Sequence, residues 1–379
     1  MEEWNHNKRW NPFNSYKLLA HVEEWRKIKR GDPVPAPILV TVDPTNRCNL
    51  NCEWCNAKYI RDKNKNELSS VMLMKIADFL PYWTDNGGVK AVCIAGGGEP
   101  LMNPYTGKFI DRLVANGIEV GVVTNGLLMH RLLDPLSKCT WVGVSVDAAT
   151  NATYKKLKGG DLDIVCDNIK LLNKYSQDRK TQLAMDRPSY GISFKYLLYK
   201  QNINEVYQAA ALAKELGCKN VHFRPAGTSW DKVGSPKDAV AFNGSMIRQF
   251  DAQVSRAMNL NSTEFGVYGV THKFNSQFEI ANHFSKCYAA FMTAVFQPPT
   301  EKGDCFTLGL CCDRRGDENV ELLHNHDDPT TIRLAWGSID HWRIHDNIKV
   351  GKCPRCTYQP HNEIYEQVIL KDSMTHKFI

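Results

Sequence analysis

The chain has 379 residues, which allows one domain of ordinary size and a smaller second one. Its hydrophobic share of 43% and charged share of 23% are typical of a globular protein and exclude a largely disordered chain. The net charge of +6 comes from 47 basic and 41 acidic residues without a dense basic run, so nucleic acid is not the expected partner.

The N-terminal residues lack the basic and then apolar pattern of a signal peptide. No segment reaches the roughly 20 apolar residues that a membrane span needs. We therefore predict a cytoplasmic protein with no membrane partner. Because thiols stay reduced in that compartment, the 13 cysteines indicate metal or redox chemistry rather than disulfides.

Residues 15–30 predict an amphipathic helix that covers one end of the fold. Its apolar residues recur at helical spacing: Leu18, Leu19, Val22, Trp25 and Ile28. The proline-rich stretch 31–37 ends this helix, because proline fixes φ and removes a backbone donor.

From residue 38 onward, short apolar runs alternate with amphipathic stretches. The predicted strands are 38–43, 89–96, 118–126, 141–148, 190–198 and 219–227, and the predicted helices are 69–83, 105–117, 151–159, 163–176 and 204–217. A weaker helical pattern covers 235–259. Continuous apolar strands between helices are typical of a parallel sheet, and six of them predict an α/β fold, a partial (β/α)6 TIM-like barrel. Ser69 and either Asn202 or Asn204 are predicted N-caps, and Gly117 and Gly217 end helices.

Polar or glycine-rich segments follow most of these strands. CNLNCEWC (48–55) comes after the first strand, GGGEP (96–100) after the second and TNG (124–126) after the third. Ser145 and Asp147 close the fourth strand, and RPAG (224–227) follows the sixth. Because active sites of such folds lie at the carboxyl ends of the strands, these segments predict one shared site.

The segment CNLNCEWC carries Cys48, Cys52 and Cys55 at C-x3-C-x2-C spacing. A structural zinc site is the alternative, but it needs a fourth ligand, and no His or Cys occurs between 56 and 92. Three thiolates on a [4Fe–4S] cube leave one iron open for a ligand. The glycines of GGGEP let the backbone approach such a ligand closely, and strand-end carbonyls can accept from an amine.

This spacing, with Trp54 before the third cysteine and GGGEP about forty residues later, resembles the radical S-adenosylmethionine (SAM) superfamily. The resemblance covers roughly 38–227. It implies a [4Fe–4S] cluster on Cys48, Cys52 and Cys55, with SAM on the open iron. It further implies that SAM is contacted by Trp54, Gly97, Gly98, Glu99, Thr124, Asn125, Ser145, Asp147 and Arg224. Lys195, Tyr196 and Arg224 are candidate catalytic residues.

The C-terminal cysteines form a second group, with LCCDRRG at 310–316 and KCPRC at 352–356. A zinc ribbon is the alternative. Behind a radical SAM core, the pattern resembles the SPASM/twitch extension and implies one auxiliary [4Fe–4S] cluster. Its expected ligands are Cys287, Cys311, Cys353 and Cys356, with Cys305 and Cys312 as rivals to Cys311. A full SPASM module has more cysteines than this chain offers here, which favours the shorter, one-cluster form.

These resemblances imply four regions. They are a helical extension at 1–37, a radical SAM partial barrel at 38–227, a connecting helical region at 228–286 and an auxiliary-cluster module at 287–379.

The implied function is reductive cleavage of SAM to a 5′-deoxyadenosyl radical that abstracts a substrate hydrogen. A two-electron oxidation, with the auxiliary cluster as electron acceptor, is the expected outcome. Tyr196, His222 and Asp313 are candidate bases. Because only 37 residues precede the first strand, a small molecule is favoured over a peptide as substrate. A peptide-modifying enzyme and a non-catalytic metal-binding module are the alternatives. The expected redox partner is an external reductant such as flavodoxin or ferredoxin.

Overall fold

A computed structural model describes residues 13, 15–183, 191–227, 242–271, 275–279, 282–353 and 355–371. The predicted helix at 235–259 lies partly outside these residues, and its described part is a helix at Gly244–Met258. No helix in the described part of the chain is long and apolar enough to cross a membrane.

The centre of the fold is a ten-stranded sheet. Its first six strands are parallel neighbours in chain order, as the sequence predicts. They are β1 (Leu39–Val42), β2 (Ala91–Ile94), β3 (Glu119–Thr124), β4 (Trp141–Ser145), β5 (Gly191–Leu198) and β6 (Asn220–Pro225). The parallel α/β architecture and the partial barrel are therefore confirmed.

Four further strands extend this sheet beyond the prediction. They are β7 (Gly266–Gly269), β8 (Thr293–Gln297), β9 (Phe306–Gly309) and β10 (Glu321–His326). β7 pairs parallel with β6, β8 pairs parallel with β1, and β9 and β10 continue antiparallel from β8. Within the described residues the sheet stays open, since its order runs from β10 to β7. The C-terminal residues thus continue the same sheet.

Helices connect the strands and cover the sheet. Their bounds are α1 (Val22–Arg30), α2 (Lys58–Lys63), α3 (Ser70–Phe79), α4 (Thr106–Ala115), α5 (Leu133–Ser137), α6 (Asn151–Lys158), α7 (Leu162–Leu183), α8 (Val206–Glu215), α9 (Gly244–Met258), α10 (Ile332–Ala335), α11 (Ile339–Asn347) and α12 (Gln359–Ile364). Ser69 caps α3 as predicted, because its hydroxyl accepts a hydrogen bond from the Met72 amide. Gly117 and Gly217 follow α4 and α8 with φ of +75° each.

The N-terminal prediction needs one correction. Ser15–His21 form a 3-10 helix, and only Val22–Arg30 are α-helical. Because the 3-10 period is shorter than the α period, Leu18 is buried whereas Leu19 is 63% exposed. Trp25 on α1 packs against Tyr365, with the ring centroids 4.7 Å apart. The N-terminal helix thus contacts the C-terminal segment.

Candidate active site

The predicted site segments lie at the carboxyl ends of the parallel strands. The loop with Cys48, Cys52 and Cys55 leaves β1, and all three thiols are half-buried and free. Neighbouring strand ends hold this loop. Asn125, after β3, donates from Nδ2 to Oδ1 of Asn49 at 2.7 Å. Arg61 on α2 donates to the Leu50 carbonyl at 2.9 Å.

The glycines of GGGEP create room for the start of this loop. A Cβ on Gly98 would lie 2.0 Å from the Arg47 carbonyl oxygen, and one on Gly97 would lie 2.7 Å from Oδ1 of Asn46. The amides of Gly98 and Glu99 donate to the carbonyls of Thr45 and Arg47. GGGEP therefore packs directly against the segment that precedes Cys48.

Glu99 is buried and held by hydrogen bonds from its surroundings. Oε1 accepts from the Thr124 hydroxyl at 2.7 Å, and Oε2 accepts from the Asn125 amide at 2.8 Å. Burial raises the pKa of this carboxyl, and the two hydrogen bonds act against that shift. The structure thus brings Gly98, Glu99, Thr124 and Asn125 into one network that adjoins the cysteine loop.

Asp147 lies at the end of β4 with φ of +58° and is buried. Its Oδ2 forms an ion pair with Nζ of Lys158 at 2.6 Å, and its Oδ1 accepts from the Leu197 amide at 2.7 Å. Lys158 also donates to the Ser145 carbonyl at 2.8 Å. Through these bonds Asp147 connects the end of β4 with α6 and β5.

Lys158 is a site residue that the sequence prediction missed. Burial lowers the pKa of this lysine, but Asp147 and the Cys52 thiol outweigh that effect and raise it. In turn, Lys158 opposes the effect of burial, which raises the pKa of Cys52. The sequence contains one indication: Lys158 lies four residues after Tyr154, so the two side chains share one face of α6. In the structure that face is buried.

Trp54 packs against a small apolar group beside the loop. This group contains the buried residues Leu157, Tyr199 and Ala226 and the partly buried Leu197. The indole Nε1 of Trp54 is buried and has no hydrogen-bond partner within the described residues. A buried donor without a partner is costly, so this atom indicates room for an acceptor that a bound cofactor supplies.

The candidate catalytic residues lie on two faces of the sheet. Lys195 and Arg224 lie on the face of β5 and β6 that is turned away from the main core and borders the interior space of the partial barrel. In the strand register, Lys195 is opposite His222. Tyr196 alternates to the other face and is fully buried in the main core beside Phe223. Its hydroxyl donates to the Asn202 carbonyl at 2.8 Å, so the structure does not bring Tyr196 to this space.

The C-terminal cysteines differ in the groups that act on them. Burial raises the pKa of Cys287, Cys311 and Cys356, and electrostatic interactions link Cys287 with Cys353 and Cys356, and Cys311 with Cys287 and Cys356. Cys312 acts on the adjacent Cys311 and is itself influenced by Asp313, Arg315 and Arg355. The charged groups that act on Cys305 are acidic: Asp304, Asp327 and Glu301. Of the rivals, Cys311 is thus the one that interacts with Cys287 and Cys356.

Ion pairs join the C-terminal loops to the interior of the sheet. Arg315 binds Asp43, which follows β1, with Nη2 to Oδ1 at 3.1 Å. Asp313 accepts from Arg355 at 2.6 Å and from the Thr357 amide at 2.7 Å. Because of these contacts, the LCCDRRG loop closes one side of the space that Lys195 and Arg224 face.

The donor chemistry of the loop after β1 suits an iron–sulfur cluster. All 13 cysteines are free thiols, and Cys48, Cys52 and Cys55 lie in one loop. The thiolates of a cube each bind a different iron, so three thiols can hold such a cluster with one iron left open. The buried indole Nε1 of Trp54, which has no partner in the described part of the chain, leaves room for an organic cofactor beside it.

The network around Glu99 and the cysteine loop thus lie at the carboxyl ends of the parallel strands, where α/β enzymes of this architecture bind their cofactors. Residues 42–187 match the family model described as the radical SAM superfamily. Residues 42–187 therefore form a radical SAM domain, and members of that superfamily are enzymes. The family implies a [4Fe–4S] cluster used together with SAM.

Two curated relatives match part of the chain. The antilisterial bacteriocin subtilosin biosynthesis protein AlbA of Bacillus subtilis is 26% identical over 214 residues, 54% of this chain and 44% of that protein. A GTP 3′,8-cyclase of Lactiplantibacillus plantarum is 29% identical over 208 residues, 51% of this chain and 57% of that protein. The chain thus spans about half the length of these relatives.

The fold also resembles that of a solved structure. Streptococcus suis SuiB bound to the precursor peptide SuiA has a TM-score of 0.61 at 14% identity, covering 96% of this chain and 81% of that one. At this identity the likeness concerns the fold alone. It extends over nearly the whole chain, including the C-terminal strands.

Proposed function

We propose that this protein is a radical SAM enzyme that removes a hydrogen atom from a peptide substrate. The observation that carries the proposal is the packing of GGGEP against the segment before Cys48. This packing supports the idea that Glu99 and the end of β3 lie beside the loop that carries the three free thiols. A zinc knuckle gives no reason for such close backbone contact with a second strand end.

In the proposal, Cys48, Cys52 and Cys55 bind the cluster through their thiolates. Gly97, Gly98 and Glu99 hold the methionine amine, and Thr124, Asn125 and Ser145 contact the sugar or carboxylate. Trp54 and its apolar neighbours cover the adenine and exclude water. When bound, the cofactor supplies a 5′-deoxyadenosyl radical, and the protein contributes binding and positioning. Asp147, with both carboxylate oxygens engaged, braces the strand ends.

The auxiliary cluster belongs to the same proposal. Cys287, Cys311, Cys353 and Cys356 are its proposed ligands, and the electrostatic links of Cys287 and Cys356 with the other thiols support this set. Four protein thiolates leave no open iron, so electron acceptance after hydrogen removal is the function that fits. Residues 287–379 carry this cluster as a module, although their strands continue the central sheet. A flavodoxin or ferredoxin is the proposed reductant.

A peptide is proposed as the substrate because of the relatives. One is named as a bacteriocin biosynthesis protein, and the similar fold was solved with a precursor peptide. This choice differs from the prediction from the sequence, which favours a small molecule. The GTP 3′,8-cyclase relative supports a small anionic molecule as the second candidate.

Spectroscopy of the reconstituted protein tests the proposal. Anaerobic reconstitution is expected to give about eight irons per chain, the content of two cubes. After reduction, addition of SAM should change the electron paramagnetic resonance spectrum of the first cluster, since SAM binds its open iron. Cys52→Ala should lose this response, whereas Cys166→Ala, which removes a helix thiol outside both cysteine groups, should keep it. Stoichiometric zinc with no SAM response would contradict the proposal.

A further inference from the structure

Strand register places basic side chains on the interior face of β5 and β6. Lys195 pairs with Ser145 on one side and with His222 on the other, and Arg224 pairs with Leu197. Because side chains alternate along a strand, Lys195, His222 and Arg224 share one face. The residues between them point into the main hydrophobic core, as Phe194 and Phe223 do.

The Lys195 side chain packs over Gly143 of β4, where there is no side chain in its way. A Cβ on Gly143 of β4 would lie 2.7 Å from Cδ of Lys195, so a side chain at position 143 would displace it. The Lys195 ammonium lies 5.9 Å from the centre of the Trp141 ring. The lysine thus extends across β4 into the interior space, with an aromatic ring beside it.

The carboxylates around this space already have cationic partners. Asp147 pairs with Lys158, Asp43 with Arg315 and Asp313 with Arg355. In contrast, the side chains of Lys195 and Arg224 make no hydrogen bond or ion pair with any residue in the described ranges. Two positive charges therefore lie in a confined space without a counterion. A charge in such a place is unfavourable until an anion joins it.

These two cations lie toward the C-terminal loops rather than toward the cysteine loop after β1. Arg355 and Asp313 are the charged groups that act most strongly on Arg224. The cations that act on Cys48 and Cys52 are different residues, Arg61 and Lys158. Because Asp147, which acts on Cys52, and Arg355 both act on Lys195, a ligand held by Lys195 and Arg224 lies between the two groups of cysteines.

The structure assigns Lys195 and Arg224 to a carboxylate of the substrate, the side chain of an aspartate or glutamate in a peptide. Arg224 offers a planar fork that matches a carboxylate, and Lys195 adds a mobile point charge. This inference rests on the proposed function, because it places the acidic residue of the peptide between the two clusters. It adds a substrate class that neither the family nor the relatives name.

Two matched peptides test the inference. The probes are acetyl-Gly-Gly-Glu-Gly-Gly-amide and its Gln counterpart, which differ in one carboxylate. Equilibrium dialysis against the reconstituted protein should show at least about tenfold tighter binding of the Glu peptide. Lys195→Met and Arg224→Met should each abolish that preference, and Lys200→Met, which removes an exposed lysine just after β5, should keep it. Thermal unfolding of each variant checks that it folds.

Three results would overturn the inference. One is equal binding of the two peptides by the wild-type protein. Another is tighter binding of inorganic phosphate than of the Glu peptide, which would identify a phosphate site. The third is loss of SAM affinity in both variants with no Glu preference in the wild type, because the two residues would then hold the SAM carboxylate. Formation of 5′-deoxyadenosine by the wild type separates these results from failure of the proposed function.

Discussion

At the scale of single residues, the buried carboxylates of the site form ion pairs with basic side chains of the same chain. Asp147 and Lys158 form a buried ion pair whose two ends come from β4 and α6. Removing one member of such a pair leaves the other charge buried and uncompensated. Lys158→Met is therefore expected to lower the free energy of unfolding by about 3–5 kcal/mol. Denaturant titration measures this loss.

The neighbouring lysine provides the control for that prediction. Lys156 lies on the same helix and is exposed, and Lys156→Met should change the free energy of unfolding by less than about 0.5 kcal/mol. Equal effects of the two substitutions would show that the pair with Asp147 is not a significant source of stability.

Lys195 makes the proposed anion site dependent on pH. Burial lowers the pKa of Lys195 to about 8, with Arg224 and Arg355 acting in the same direction and Cys93 and Asp147 against it. Only the ammonium form attracts a carboxylate, so affinity is full below the pKa and declines above it. The affinity for the Glu peptide should fall up to about tenfold between pH 7 and 9, whereas Arg224 stays charged.

The same dialysis experiment at several pH values measures this effect. Lys195→Met should give a weaker and pH-independent affinity, and binding of the Gln peptide by the wild type should not vary with pH. A steady wild-type affinity for the Glu peptide through this range would mean that Lys195 does not titrate there.

Residue-scale patterns explain how far the sequence predicts the site. The cysteine spacing and GGGEP predict the elements that meet after β1 and β2, because each motif is local. Lys158 is one of three lysines within four residues, so its burial is not evident from composition. The ion-pair partners of Arg315 and Arg355 also cannot be predicted from the sequence, since Asp43 lies 272 residues before Arg315.

At the scale of elements, the connection from β5 to α8 shows where local pattern misleads. The sequence predicts Asn202 or Asn204 as an N-cap, but Asn202 makes no capping hydrogen bond. Its buried amide instead donates to the carbonyls of Asp147 and Leu197 and accepts from the Tyr199 amide, each at 2.8 Å. Asn202 thus braces β4 and β5, and an isolated sequence cannot distinguish this bracing from a cap.

Substitution of the two asparagines separates these functions. Asn202→Ala should lower the free energy of unfolding by about 2–4 kcal/mol, since it leaves buried backbone groups without partners. Asn204, the other predicted cap, is exposed, and Asn204→Ala should cost less than about 0.5 kcal/mol. Thermal and denaturant unfolding provide both values. A larger loss for Asn204→Ala would restore the capping prediction.

GGGEP offers a second test at this scale. Gly98→Ala forces a Cβ against the Arg47 carbonyl, whereas a Cβ on Gly96 meets only ordinary contacts, the nearest at 3.4 Å. Gly98→Ala is expected to cost about 1–3 kcal/mol of stability and to reduce the iron retained by the first cluster. Gly96→Ala should retain both. Similar iron contents in the two variants would mean that the packing does not position the cysteine loop.

At the scale of the whole molecule, the six-strand alternation predicts the parallel sheet, since strand and helix periods are local properties. The four added strands are not evident, because β8 joins β1 across about 250 residues of chain. The sequence therefore suggests a small C-terminal module, and the structure adds that its strands continue the central sheet. This continuity holds the two groups of cysteines on one framework.

The proposed function requires that the Cys48–Cys55 loop binds a cluster that cleaves SAM. The most direct measurement is the amount of 5′-deoxyadenosine formed from SAM by the anaerobically reconstituted protein with and without dithionite. We predict dithionite-dependent 5′-deoxyadenosine from the wild type and from Cys166→Ala, and none from Cys52→Ala. No 5′-deoxyadenosine from a wild-type protein that holds its iron, or equal amounts from Cys52→Ala, would contradict the claim.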